Sequence, residues 1–197
     1  MIATRRIPSR WWRRLGAAAI VSIAAQAFGA DAQAGRSPPT PVPSEVASAL
    51  PGARLLGSGT MRFLAMRIYD ARLWVGSGFA ADRYGTHAFA LELQYARAFD
   101  GADIAQRSIE EMRRIGNLDD AQADAWRVAM KRAFPDVKPG DRLTGLHLPG
   151  GTTRFFHNGQ PTQVIEGQAF ARLFFGIWLA PTTSEPALRR QLVAAGA

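Results

Sequence analysis

The stretch Arg154-Phe-Phe-His-Asn-Gly-Gln-Pro-Thr-Gln-Val-Ile-Glu-Gly-Gln-Ala-Phe-Ala-Arg-Leu-Phe-Phe-Gly-Ile-Trp-Leu-Ala-Pro181 decides the fold. Asn158-Gly159 separates an aromatic run from a run over Pro161 to Ile165. Asn-Gly suits the two positive-φ positions of a type I′ turn, so the spacing predicts a β-hairpin. The periodicity then changes. Phe170, Leu173, Phe174, Ile177 and Trp178 recur at helical spacing and form one broad apolar face, and Pro181 stops the helix. A hairpin leading straight into so aromatic a helix implies a sheet with that helix packed on it. These aromatics read first as core and only second as a ligand wall.

Upstream, Arg54 to Val75 reads as two strands or one bent strand. Leu64, Met66 and Ile68 alternate on one face, then Tyr69, Ala71, Leu73 and Val75 on the other, which predicts a bulge or bend near Ile68-Tyr69. His87 to Ala96 is a further strand, with Phe89, Leu91, Leu93 and Tyr95 on one side. Asp100 is placed to cap a helix carrying Ile104, Ser108, Met112 and Ile115, which ends at Gly116-Asn117. Asp119 or Asp120 opens a second helix through Trp126 and Met130 to Pro135. Arg142 to Leu148 is a strand, and Ser184 is placed to cap a last short helix. Strands and helices come in runs, so the expected fold is α+β: an antiparallel sheet with helices packed on one face.

The N-terminal end has a different character. Arg5, Arg6, Arg10, Arg13 and Arg14 precede a short apolar run from Leu15 to Ala27 and then small residues. This is the pattern of a secretory signal peptide. The run falls short of the roughly 20 residues that span a bilayer. Cleavage is expected after Ala34, with Ala27 as the alternative. Residues 35–51, carrying Pro38, Pro39, Pro41, Pro43 and Pro51, read as a Pro-rich linker with a helical turn at Ser44 to Leu50. The folded domain is expected over 52–197, with no transmembrane segment in the mature chain. Its location is expected to be periplasmic or secreted.

Composition narrows the chemistry. The formal net charge is +8, but the leader's five arginines and one aspartate account for four of it. The remaining arginines are scattered among acids, which argues against nucleic-acid binding. The chain has no cysteine, so disulfides, thiol catalysis and thiolate metal sites are excluded. His87, His147 and His157 lie at no metal-ligand spacing, and no metal or cofactor is expected. Gly57-Ser58-Gly59 lacks the context of a nucleophile elbow or a phosphate loop and reads as strand punctuation. Arg62, Arg67 and Arg72 recur through an otherwise apolar strand segment. Either one faces inward and meets an anion, or they pair with Asp70, Glu92 or another internal acid.

A series of segments stands out: Gly57-x-Gly59-x-x-Arg62 leading to Ile68-Tyr69-Asp70-Ala71-Arg72-Leu73-Trp74, Leu91-Glu-Leu-Gln-Tyr-Ala-Arg97, and the helix from Ile104 to Arg113. Phe134 to Leu143, Phe155 to Pro161 and Phe170 to Leu179 continue the series in order over residues 52–194. Together these segments resemble the bacterial chalcone-isomerase-like family. The resemblance implies an open-faced β-sandwich, with a ligand cleft between a large antiparallel sheet and its helices. The plant enzymes of that superfamily cyclise a chalcone there, and related non-catalytic members hold a fatty acid whose carboxylate meets an arginine and a tyrosine. Arg62 is the counterpart of that arginine, and Tyr69 falls where the binders have tyrosine and the enzymes threonine. The helix positions that are tyrosine, lysine and asparagine in the enzymes read Ile104, Arg107 and Glu111 here. No catalytic residue is therefore assigned.

The leading expectation is an exported, non-catalytic binder of a fatty acid or similar apolar carboxylate. Arg62, Tyr69, Tyr95, Arg107, Glu111, Phe174 and Trp178 are the candidate ligand-binding residues, and Phe63, Leu91, Leu93 and Phe170 supply pocket or supporting core. An isomerase or lyase acting on a chalcone-like or other enone substrate is the alternative. A further alternative is an envelope interaction module without a small ligand. The oligomeric state is left open.

Overall fold

The computed structural model describes residues 40–194. The expected leader, its cleavage sites and the first residues of the expected linker lie outside the described residues. Within them the chain runs α1 (Ser44–Ala49), β1 (Arg54–Phe63), β2 (Met66–Val75), β3 (Phe89–Tyr95), α2 (Gly101–Ile115), α3 (Asp120–Ala133), β4 (Arg142–Leu148), β5 (Thr152–His157), β6 (Gln160–Ile165), α4 (Gln168–Leu179) and α5 (Pro186–Val193). The six strands form one antiparallel sheet in chain order, each paired with the next.

Alternation along each strand sends successive side chains to opposite faces. Ala71, Leu73, Val75, Leu91 and Leu93 join the residues of α2 to α5 in one large core. Within it α4 is the central element. Nine of its twelve residues are buried, including Phe170, Phe174 and Trp178, because it lies between the sheet and α2. Phe134, Phe155, Phe170, Phe174 and Phe175 interlock at centroid separations of 5.1–6.3 Å.

The opposite face is not bare. Val46 and Leu50 pack there on Trp74, Ala90 and Leu146 in a second, smaller core. The segment expected as linker therefore belongs to the folded body from Ser44 on, where an apolar pair at helical spacing finds the even-numbered face of the sheet. It also adds a helix to a face expected to carry none.

The bulge predicted near Ile68 is present. Met61 pairs with Tyr69, but Arg62 pairs with Arg67, leaving Ile68 as the extra residue. Asn158 and Gly159 adopt φ of 50° and 84° at the β5–β6 turn, as the dipeptide requires. Two expected caps differ. Asp100 makes no side-chain cap bond; Asp136 instead accepts from Gly101 N at 2.9 Å, because α2 starts hard against the Phe134–Pro135 backbone. Ser184 does not cap α5 either.

Gly57 and Gly59, expected as punctuation, are the seat of α5. A Cβ on Gly57 would lie 2.7 Å from the Leu192 carbonyl carbon, and one on Gly59 would lie 2.7 Å from Leu188 Cδ1.

Candidate functional site

Tyr69 sits at the start of β2 on the helix face, where the bulge returns the strand to register. Its hydroxyl accepts a hydrogen bond from Trp178 Nε1 at 3.0 Å. Burial pushes its pKa up, and the Trp178 bond only partly opposes this, so the phenol keeps its proton. That proton has no acceptor among the described residues, so the hydroxyl is able to donate to a ligand oxygen.

Residues of α2 and the α4–α5 loop complete the same pole. Glu111, 6% exposed, lies 2.5 Å from Arg107 Nη2 and 3.9 Å from Arg114 Nε. Its other oxygen accepts from Ser184 Oγ at 2.8 Å. This contact explains the missing cap: the Ser184 hydroxyl is spent on Glu111, and Thr183 Oγ1 accepts from Glu185 N instead. Glu185 faces the same group. Burial raises its pKa, and the Glu111 charge adds to that. The pole thus holds a phenol donor, the guanidinium groups of Arg107 and Arg114, and two carboxyl groups, of which Glu185 has the raised pKa. Arg107 is largely exposed and bonded also to Glu110, so its guanidinium is open to a ligand from the solvent side.

The structure brings together Tyr69, Arg107, Glu111 and Trp178 from the predicted set. Tyr95 stands behind Tyr69 in an edge-on ring contact at 5.9 Å and is buried, so it supports the site without lining it. Phe174 lies deeper, stacked within the aromatic interior. Phe170, Leu91 and Leu93 are core, whereas Phe63 is 42% exposed at the β1–β2 tip.

Arg62 does not join them. It follows Met61, which packs on the core with Tyr69, so alternation turns it to the other face, where it is exposed opposite Arg67. The expected Arg62–Tyr69 head-group pair is therefore split across the sheet. Arg67 and Arg72 follow the internal-acid alternative: Arg67 pairs with Asp70, and Arg72 bonds Glu92 at 2.6 Å. Glu92, 2% exposed, also accepts from Trp74 Nε1 at 3.0 Å.

Sequence reasoning missed Ser184 and Glu185 as members of the pole. The only available signal was their position just after the aromatic helix. A surface pocket of about 370 Å³ elsewhere is lined by Arg83, Tyr84, Ile115, Arg172 and Ala180, and no predicted site residue borders it.

Comparison with known proteins bears on this arrangement. The sequence pattern of a family described as chalcone isomerase-like matches residues 43–194. An uncharacterized protein of Haemophilus influenzae is 30% identical over 103 residues, which are 52% of this chain and 50% of that one. The match thus spans about half the length of that curated relative. Among solved structures, the crystal structure of an Arabidopsis thaliana fatty-acid binding protein aligns with a TM-score of 0.58 at 11% identity. That alignment covers 73% of this chain and 87% of the other. At that identity the likeness is one of fold.

Proposed function

Since the chain belongs to the chalcone isomerase-like family, we propose that it is a non-catalytic binder of a fatty acid or similar apolar carboxylate, acting outside the cytoplasm once its leader is removed. The observation that carries the reading is the Tyr69 hydroxyl, held by Trp178 with its proton unspent at the edge of an aromatic interior. The fatty-acid binding function of the Arabidopsis neighbour, which shares the fold, supports it.

In this account Tyr69 donates to the ligand carboxylate, and Arg107 takes the part expected of Arg62. The tail supplies most of the affinity, at about 0.8 kcal/mol per buried methylene before association costs. A new carboxylate beside Glu111 and Glu185 meets a repulsion that eases as pH falls, because burial and the Glu111 charge raise the pKa of Glu185. Affinity should therefore rise as pH falls. By the family resemblance, Ile104 and Glu111 fall where the enzymes of the superfamily carry tyrosine and asparagine, so the phenol and the amide are missing from those positions.

One observation favours a second reading. Phe170, Phe174 and Trp178 fill the space between sheet and α4, each no more than 7% exposed. An acyl chain would have to displace at least the Trp178 end of this stack. An interaction module with no small ligand needs no such movement.

Native mass spectrometry of the protein purified without detergent separates the two readings. A stoichiometric fatty acid, lost or weakened about 10- to 100-fold by Tyr69→Phe or Arg107→Ala, is the expected result. Protein that stays empty after incubation with fatty acids overturns the binder reading.

A further inference from the structure

The β1–β2 hairpin ends in Phe63-Leu64-Ala65-Met66. Five large apolar residues are exposed among the described residues, and Phe63, Leu64 and Met66 are three of them, at 42%, 63% and 41%. The other two, Val128 and Val164, stand apart in sequence. Single exposed apolar residues are ordinary, but three in four consecutive positions at an apex are a patch.

The turn itself makes the choice of residues more pointed. Leu64 and Ala65 adopt φ of 49° and 65°, the left-handed region that disfavours side chains. The same chain makes its β5–β6 turn with Asn158-Gly159, the pair suited to that geometry. Leu64 is therefore at the apex despite the turn, not because of it.

Charge surrounds the patch. Arg62 and Arg67 flank it opposite one another, and Arg97 follows Ala96, whose N–H bonds Ile68 at the base of the hairpin. Asp70 neutralises Arg67 and also accepts from Thr60. Arg62 and Arg97 have no ion pair among the described residues, and Asp100, three residues beyond Arg97, makes none with it. An apolar wedge collared by guanidinium groups matches an anionic lipid surface, with acyl chains for the wedge and headgroup phosphates for the collar. No helix among the described residues is long and apolar enough to cross a membrane, so such contact would be peripheral.

We propose that the β1–β2 tip is a membrane-contact site that inserts Leu64, with Phe63 and Met66 beside it, into an anionic lipid leaflet while Arg62 and Arg97 engage phosphates. Tyr69 lies only three residues beyond Met66, which sets the pole described above next to that surface. The membrane contact itself does not depend on a bound ligand.

The absence of cysteine allows a probe at one chosen position. The full chain carrying Ala65→Cys is labelled with an environment-sensitive fluorophore and mixed with phosphatidylglycerol–phosphatidylcholine vesicles containing nitroxide-labelled acyl chains but no free fatty acid. A second sample carries the label at Val128→Cys, an exposed position on α3. The reading is local, so lipid binding by residues 1–34 does not mimic it.

The expected result is blue-shifted, quenched emission at position 65 and neither effect at 128, weakened by salt. Arg62→Glu should lower vesicle partitioning about tenfold. Leu64→Asp should abolish the quenching with no loss of thermal stability, since the side chain is exposed. A probe at 65 that stays in water in the presence of vesicles overturns the proposal and leaves a protein partner for the tip. Equal quenching at 65 and 128 overturns it too. A protein that contacts lipid but holds no fatty acid sinks only the binder reading, and the reverse outcome sinks only this one.

Discussion

At the scale of single residues, ionisable groups either find a partner or change their charge state. His147 is 1% exposed, stacked on Phe89 at 5.1 Å, and its Nδ1 donates to the His87 carbonyl at 2.7 Å. Desolvation lowers its pKa and outweighs the opposing hydrogen bond, so it is neutral in the folded protein. The unfolded chain takes the proton first. His147 therefore contributes stability that is present above about pH 6.5 and lost as pH falls below it, by at most about 1.4 kcal/mol per pH unit. Urea unfolding at pH 7.5 and pH 5 should show this loss, and His147→Asn should flatten it. An unchanged acid limb in that variant would place the loss in the carboxylates. The arginines show where residue-level reading stops. That Arg67 and Arg72 would meet Asp70 and Glu92 was among the alternatives the sequence allowed, but choosing it required side-chain direction. The bulge at Ile68 sets that direction, and the same bulge puts Arg62 on the face away from Tyr69. The Tyr69–Trp178 bond joins residues 109 apart, so no local spacing announces it.

Among the elements, the hairpins and long amphipathic helices were legible because their signals are local. Asn158-Gly159 names its own turn, and α4 advertises its apolar face at helical period. What escaped was set by a neighbour. Asp136 caps α2 from 35 residues away, Leu64-Ala65 turns with no turn residue, and Gly57 and Gly59 matter only because α5 lies across them. The glycine contact gives a test. A Cβ at position 57 meets α5 backbone, which cannot rotate aside, so α5 must lift from β1. Gly57→Ala should cost about 1–3 kcal/mol and lower the Tm by several degrees. Gly76→Ala is the control, because a Cβ there meets Leu50 Cδ1 at an ordinary 3.6 Å. Calorimetry should show a large shift for the first and little for the second. Equal shifts would mean that the tight α5–β1 approach is not a significant source of stability.

For the whole molecule, the antiparallel sheet with helices over one face followed from the run of strands and helices, and the family resemblance agreed with it. The contribution of the segment before Gly52 did not, because a proline-rich composition describes the unbound chain and says nothing of what a short helix inside it covers. Helix α1 closes the second face. Val46 and Leu50 cover Trp74, Ala90 and Leu146, and Glu45 accepts from Thr144 Oγ1 at 3.2 Å with Arg142 at 3.7 Å. Burying two such aliphatic side chains is worth about 3–6 kcal/mol before ordering costs, a large share of the roughly 5–15 kcal/mol that holds an ordinary domain folded. A chain beginning at Gly52 would lose this, expose the Trp74 face and leave Thr144 and Arg142 without the Glu45 carboxylate. A chain beginning at Thr40 keeps all of it. The first should unfold at much lower urea than the second and bind a hydrophobic dye at neutral pH, while Glu45→Ala in the longer chain should fall between them. Equal midpoints for the two truncations would show that α1 rests on the sheet without stabilising it, and that the domain begins at Gly52.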